Sequence, residues 1–265
     1  MPDAAAGEYR SDTLHAAWAT DIGNVRATNE DAVRAIPEQG LFIVSDGMGG
    51  EYAGGYAAEL VVGRLPLLLR DHLSRLPDDP TPEELFAALR DAVRELNHDV
   101  REESSQIAGP RRMGATLAMV LLLGETACVA NMGDTRIYRL AAGKLEPLTQ
   151  DHSIVGALLS EGVISSREAR YHPLRGQLTR FVGMGGEGTA DVHAVPWEPG
   201  ERLLLCTDGV TEVFYDDEIR HILTQHDEIA EACRHLIEAA KQAGSGDNIT
   251  VLIVEKLPPS DAAPG

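Results

Sequence analysis

The sequence predicts an α+β fold in which antiparallel sheets are paired and covered by helices. Three observations carry that expectation. Apolar runs of strand length arrive in clusters, helical stretches fall between the clusters, and several runs are continuously apolar, as strands buried on both faces are. A doubly wound parallel sheet would instead place a helix after each strand.

Strands are expected at 14–20, 32–36, 41–46, 115–123, 126–132, 135–140, 202–207 and 249–255. A helix over 52–76 carries Pro66 in its interior, which predicts a kink or a split. Residues 82–103 form a stronger helix. Thr81-Pro82-Glu83-Glu84 is a capping box with proline at the first helical position, and Leu85, Leu89, Val93, Leu96 and Val100 recur at helical spacing as one buried face. Two more helices are expected at 216–225 and 227–243, the second with Ile229, Cys233, Leu236, Ile237 and Ala240 inward. Residues 1–11 and the Pro/Ala/Asp-rich 257–265 read as mobile tails around one domain spanning 12–256.

Composition narrows the function. The 265-residue chain is 43% hydrophobic, ample for a large core, and its 23 Lys+Arg against 42 Asp+Glu give a net charge of −19. Nucleic acid and anionic membranes both demand basic surface, so neither is an expected partner. No apolar run approaches the ~20 residues that span a bilayer. Cys128, Cys206 and Cys233 are odd in number and sit in apolar surroundings. They read as reduced packing residues, which fits a cytoplasmic location.

Four aspartates stand at strand-to-loop junctions: Asp46 in FIVSDGMGG, Asp134 in ANMGDTR, Asp208 in LLLCTDGV and Asp247 in GSGDNITV. Single junctions of this kind are ordinary turns, and the glycines after Asp46 and Asp208 allow a sharp one. Recurrence is the signal. Buried carboxylates repel one another, and divalent cations that favour hard oxygen ligands, Mg²⁺ or Mn²⁺, remove that conflict. Upstream, Arg26-Ala-Thr-Asn-Glu30-Asp31 places a guanidinium four residues before a carboxylate. Arginine suits bidentate phosphate recognition, and Glu30 is within reach of a metal-bound water in such a site.

The ordered motifs R-x-x-N-E-D, S-D-G-M-G-G, M-G-A-T-L, N-M-G-D-T-R, L-C-T-D-G-V and G-D-N-I-T-V resemble those of the bacterial type 2C metal-dependent serine/threonine protein phosphatases, over about residues 14–255. The resemblance implies a four-layer α-β-β-α sandwich of two antiparallel sheets flanked by helices. It implies hydrolysis of phosphoserine and phosphothreonine in proteins by a water that two divalent cations activate, without a covalent phosphoenzyme. Carried across, Asp46 bridges two metals, the Gly47 carbonyl ligates one, and Asp208 and Asp247 hold the other. Glu30 binds through water, Arg26 grips the phosphate, and Asp134 with Asp208 matches a third, weaker metal position. Residues 150–186 look like the family's flap, in which His152, His172, Arg175 and Arg180 are candidates to touch a phosphopeptide or carry a proton. Met48 departs from the histidine that many eukaryotic members have there, and a thioether donates no proton. Implied partners are phosphorylated proteins, substrates of Ser/Thr kinases, with the chain a monomer. The alternative is a catalytically silent phosphatase-like module that binds or signals.

Overall fold

The computed structural model describes residues 4–49, 53–107 and 113–258. The strands are β1 (Ala4–Arg10), β2 (Leu14–Asp21), β3 (Asp31–Ile36), β4 (Leu41–Met48), β5 (Gly114–Ala115), β6 (Leu117–Leu123), β7 (Thr126–Met132), β8 (Arg136–Ala141), β9 (Lys144–Pro147), β10 (Asp191–Pro196), β11 (Arg202–Cys206) and β12 (Ile249–Lys256). The helices are α1 (Ala53–Leu73), α2 (Pro82–Ile107), α3 (Ile154–Ser160), α4 (Ser166–Arg170), α5 (Asp208–Thr211), α6 (Asp216–Gln225) and α7 (Ile229–Gln242).

Two sheets form, with strand orders β1-β2-β12-β11-β8-β9 and β10-β7-β6-β4-β3, and β5 pairs with the end of β4. Every pairing is antiparallel. Between the sheets lies a core of alternate side chains, Phe42, Val44, Val120 and Val129 facing Ile137, Leu203, Leu205, Leu252 and Val254. The outer face of the second sheet packs on α1 and α2 through residues such as Ile43, Met119, Leu65 and Leu96. The outer face of the first packs on α6 and α7 through Leu204, Ile253, Leu223 and Leu236. Both faces of each sheet are therefore covered, which is why the central strands read as unbroken apolar runs. The layers are α-β-β-α, as expected.

Local signals act as anticipated in the helices. On α2, Leu89, Val93, Leu96 and Val100 are buried, with Leu85 half-buried at the margin, and the Thr81–Glu84 capping box is formed. Pro66, expected to kink or split the first helix, does not divide it; α1 runs unbroken through a buried Pro66. The expected start at residue 52 lies outside the described residues. Among those residues, no helix is long and apolar enough to cross a membrane.

The expected tail at residues 1–11 needs correction; of the other, 257–265, only Leu257 and Pro258 are described. Residues 4–10 form β1, an edge strand paired along its length with β2. The run AAAGEYR offers no apolar alternation, but Gly7 has no side chain, and the Trp18 indole lies where one would be: a Cβ there would come 2.2 Å from the ring. At the other end, the Leu257 amide donates to the Thr13 carbonyl at 2.9 Å; residues 1–3 and 259–265 lie outside the described residues. The expected strand 115–123 is interrupted at Thr116, and β9 and β10 are additional.

Removing residues 1–10 uncovers one face of Trp18. The expected cost is on the order of 2 kcal/mol, a fall in Tm of roughly 5 °C, with a red shift of tryptophan emission. Unchanged emission and Tm would mean that β1 contributes nothing to the fold.

Candidate metal centre

The candidate residues meet at one end of the sandwich, where strands of both sheets finish. Asp46 and Gly47 close β4, Glu30 precedes β3, and Asp134 lies in the turn by which the chain passes from β7 in one sheet to β8 in the other. Asp208 opens α5 directly after β11, and Asp247 precedes β12. The glycines after Asp46 and Asp208 serve close approach. A Cβ on Gly47 would stand 2.1 Å from the Gly54 carbonyl oxygen, and one on Gly209 would stand 2.0 Å from that of Asn248. The first contact brings the beginning of α1 against the end of β4; Gly50, in the same motif, lies outside the described residues.

A polar frame holds these ends in place. The Asn248 Oδ1 accepts from the Glu30 amide at 2.8 Å, while its Nδ2 donates to the carbonyls of Ile22 and Thr28 at 2.9 and 3.0 Å. Thr116 takes the Asp46 amide on its hydroxyl at 2.8 Å and returns its own amide to the Asp46 carbonyl at 2.8 Å. That exchange is what interrupts the strand at Thr116. Asp31 stands directly across from Asp46 in the β3–β4 register. Its Oδ2 accepts from Thr207 at 2.9 Å, just past β11 of the other sheet, and from Thr250 of β12 at 2.7 Å, and Thr250 also bonds Thr20 at 2.7 Å. None of Asp31, Thr116, Thr207, Thr250 and Asn248 stands out in the motif analysis as a positioning group. The available signal was a hydroxyl or amide inside or beside a run otherwise apolar on both faces, because a buried polar side chain must find a partner.

Electrostatics ties the carboxylates together. Burial raises the Asp46 pKa well above the usual carboxylate range, and repulsion from Asp31, Asp208, Asp134 and Asp247 adds to it. Asp208 is raised well above that range by burial, then by Asp134, Asp247, Asp31 and Glu212. Burial pushes Asp134 up to about 6 and Asp31 up to about 7, the latter against the pull of its two threonine donors. Glu30 is raised by burial, with Arg26 and the amides of Gly55 and Gly54 opposing. Like charges facing one another across a ladder destabilise a sheet unless something neutralises them.

The donor set fits a hard divalent cation. Among the described residues, Glu30 Oε1 and Asp208 Oδ1 are buried oxygens with no hydrogen-bond partner, and such atoms cost free energy unless a donor or cation meets them. Among the described residues no three acidic, histidine or cysteine side chains are already drawn into a closed cage. The carboxylates are within electrostatic reach of one another yet stand apart, as mutually repelling groups do.

Arg26 is at this end too, donating to Asp247 Oδ2 at 2.6 Å. The flap candidates are engaged elsewhere. His152 is buried and bonds Gly133 and Asp191, His172 accepts from the Leu174 amide at 3.1 Å, Arg175 pairs with Glu212, and Arg180 pairs with Asp191 at 2.6 Å. As placed, these four brace the flap. A cleft of about 690 Å³ opens beside Asp134 and Asp208 and runs between α3 and α4 on one side and the start of α6 on the other. The three cysteines are buried, with thiols pushed up to about 11 for Cys128 and about 12 for Cys206 and Cys233, so none is a thiolate at neutral pH.

Asp31, Asp46, Asp134 and Asp208 hold protons more tightly folded than unfolded. The stability this adds is complete below the unfolded value of 3.8 and is lost as pH rises through the folded values, about 6 for Asp134 and about 7 for Asp31. A cation bound by the ionised carboxylates acts in the opposite sense. The rise in Tm produced by Mn²⁺ over an EDTA-treated control is therefore expected to grow from pH 5 to pH 7.5. Titration of His152 and His193 enters both arms and cancels. An equal rise at both pH values would contradict the assignment.

Comparison with known proteins identifies the family. The family model for protein phosphatase 2C matches residues 24–245. A serine/threonine phosphatase, stp, of Listeria monocytogenes is 35% identical over 246 residues, covering 92% of this chain and 96% of its own. The crystal structure of the Mycobacterium tuberculosis serine/threonine phosphatase PstP/Ppp superposes with a TM-score of 0.78 at 34% identity, covering 93% of this chain and all of that one. A second PstP structure, of the catalytic domain in complex with two manganese ions, gives 0.75 at 33% identity, with 93% and 99% covered. With a family model matched over most of its length and relatives of this identity and coverage, the chain belongs to the protein phosphatase 2C family.

Proposed function

We propose that the protein is a metal-dependent protein serine/threonine phosphatase, a phosphoric monoester hydrolase. The observation that carries this is the meeting of Glu30, Asp46, Asp134, Asp208 and Asp247 at one end of the sandwich, with two orphaned buried oxygens among them. Asp46 and the Gly47 carbonyl would hold one divalent cation and Asp46, Asp208 and Asp247 a second, with Glu30 acting through water and Asp134 with Asp208 offering a third, weaker position. Bound there, Mg²⁺ or Mn²⁺ would supply the ionisation of a water for attack on phosphorus and would offset charge on the phosphoryl oxygens.

The chain's own groups supply the rest. Arg26 can exchange its partner Asp247 for the dianionic phosphate, since its fork of N–H donors can meet two oxygens of either a carboxylate or a tetrahedral phosphoryl group. The cleft under α3 and α4 takes the peptide on either side of the phosphorylated residue. Met48 gives no proton to the leaving oxygen, and none of the buried thiols is placed or ionised to act as nucleophile. Phosphoproteins made by Ser/Thr kinases are the substrates, and the enzyme acts on them as a monomer in the cytoplasm, where three reduced buried thiols are at home. A silent binding module would be expected to have lost ligand positions, and all are present.

Hydrolysis of a phosphothreonine peptide with Mn²⁺, and its loss in EDTA, tests the proposal. Asp46→Asn and Asp208→Asn are each expected to lower kcat/KM by about 10²-fold or more with the fold intact by circular dichroism. Near-normal Mn²⁺-dependent turnover by Asp46→Asn would end the assignment. Arg26→Ala should act mainly on binding, raising KM roughly tenfold.

A further inference from the structure

We propose that His152 is a positioning residue that clasps the root of the flap to the loop carrying Asp134, so that the peptide cleft and the carboxylate keep a fixed relation. The proposal rests on the phosphatase function above. Both ring nitrogens of His152 need partners once buried, and here the two partners lie on different sides of the flap root, in the Asp134 loop and at the start of β10.

The Gly133 amide donates to His152 Nδ1 at 3.1 Å, and the His152 amide donates back to the Gly133 carbonyl at 2.9 Å. Because Nδ1 accepts, the ring proton sits on Nε2, which donates to Asp191 Oδ2 at 3.0 Å. Asp191, at the start of β10, is held in turn by both terminal nitrogens of Arg180 at 2.6 and 3.0 Å. The His152 carbonyl accepts from the Thr179 amide at 2.7 Å and so closes the outgoing stem of the flap onto the incoming one. Further along that stem, Val182 exchanges amide bonds with Ala115 at 3.0 and 2.8 Å, and Ala115 is paired with Gly47.

The loop receiving this clasp has little freedom. Gly133 has φ +123°, and a Cβ there would fall 2.6 Å from a Thr116 methyl. Asn131 Nδ2 spans the loop to the Thr135 carbonyl at 3.1 Å, and the Thr135 hydroxyl meets that of Thr116 at 2.5 Å. Asp134 therefore sits between two fixed points, and His152 joins one of them to the flap. Burial lowers the His152 pKa, which the bond to Asp191 only partly opposes, so the neutral ring is the resting form at pH 7.

Two substitutions separate the halves of the clasp. His152→Gln keeps a donor toward Asp191 but leaves the Gly133 amide without its acceptor. His152→Asn keeps an acceptor near Nδ1 and loses Asp191. Amide hydrogen exchange, read without substrate, is expected to quicken roughly tenfold over 131–136 in His152→Gln, the size of one lost bond to a buried amide. In His152→Asn it should quicken over 154–178 instead. The Mn²⁺ concentration for half-activation should rise in the Gln variant, and in both variants kcat/KM should fall several-fold further for a phosphothreonine peptide than for p-nitrophenyl phosphate. Exchange unchanged at both places, exchange quickened equally in β11 and β12, or equal losses with the two substrates would overturn the proposal. If the exchange pattern held while the wild-type protein turned over no phosphopeptide, the clasp would stand and the phosphatase function would fall.

Discussion

The constraint on which the rest of this structure depends is the burial of several carboxylates where two sheets end together. Asp31 and Asp46 face each other across a ladder, with Asp208 within electrostatic reach of both and Asp134 within reach of Asp46 and Asp208. Isolated charges in such surroundings would protonate or pull the strand ends apart. The fold answers in two ways. Asp31 is satisfied internally, by hydroxyls from Thr207 and Thr250 that reach across from the other sheet. Among the described residues Asp46 and Asp208 have no comparable set of donors, and that difference is what sets Asp31 apart from the carboxylates proposed to take a cation.

The surrounding architecture follows from that need. Antiparallel sheets stacked face to face bring strand ends from distant parts of the chain to one edge, so β4, β11 and β12 can each deliver an acidic side chain while their apolar stretches build the shared core. Asn248 and Thr116 convert that coincidence of ends into a defined arrangement, because each bonds backbone groups of other segments as well as keeping its own strand in place. The flap is added outside this frame and is braced by its own ion pairs, Arg175 with Glu212 and Arg180 with Asp191.

Much of this was legible in the sequence, and the omissions have a common physical origin. Central strands such as β4, β6 and β12 are buried on both faces and announce themselves as apolar runs. The strands that were missed, β1, β9 and β10, are all sheet edges. An edge strand needs only half its backbone bonds and half its contacts, so AAAGEYR, KLEP and DVHAVP carry little alternation. The acidic candidates were visible because Asp-Gly after an apolar run is conspicuous. Asp31 was hidden in a charged cluster, and its role depends on two threonines 176 and 219 residues away, a relation no local pattern expresses. The flap residues were seen as side chains able to meet a substrate, but their partners, Gly133, Asp191 and Glu212, are set by tertiary contact alone.

The place of β12 has a consequence for how the molecule comes into being. This last strand in the chain order is inserted between β2, near the beginning, and β11, so the first sheet has a gap at its middle until residue 256 is in position. Asp247 and Asn248, at its leading end, arrive at the same moment. A nascent polypeptide emerging from the ribosome thus cannot acquire catalytic competence piecemeal. The insertion that fills the middle of the first sheet therefore also brings Asp247 to the carboxylate cluster at its edge, coupling the order of folding to the completion of that cluster.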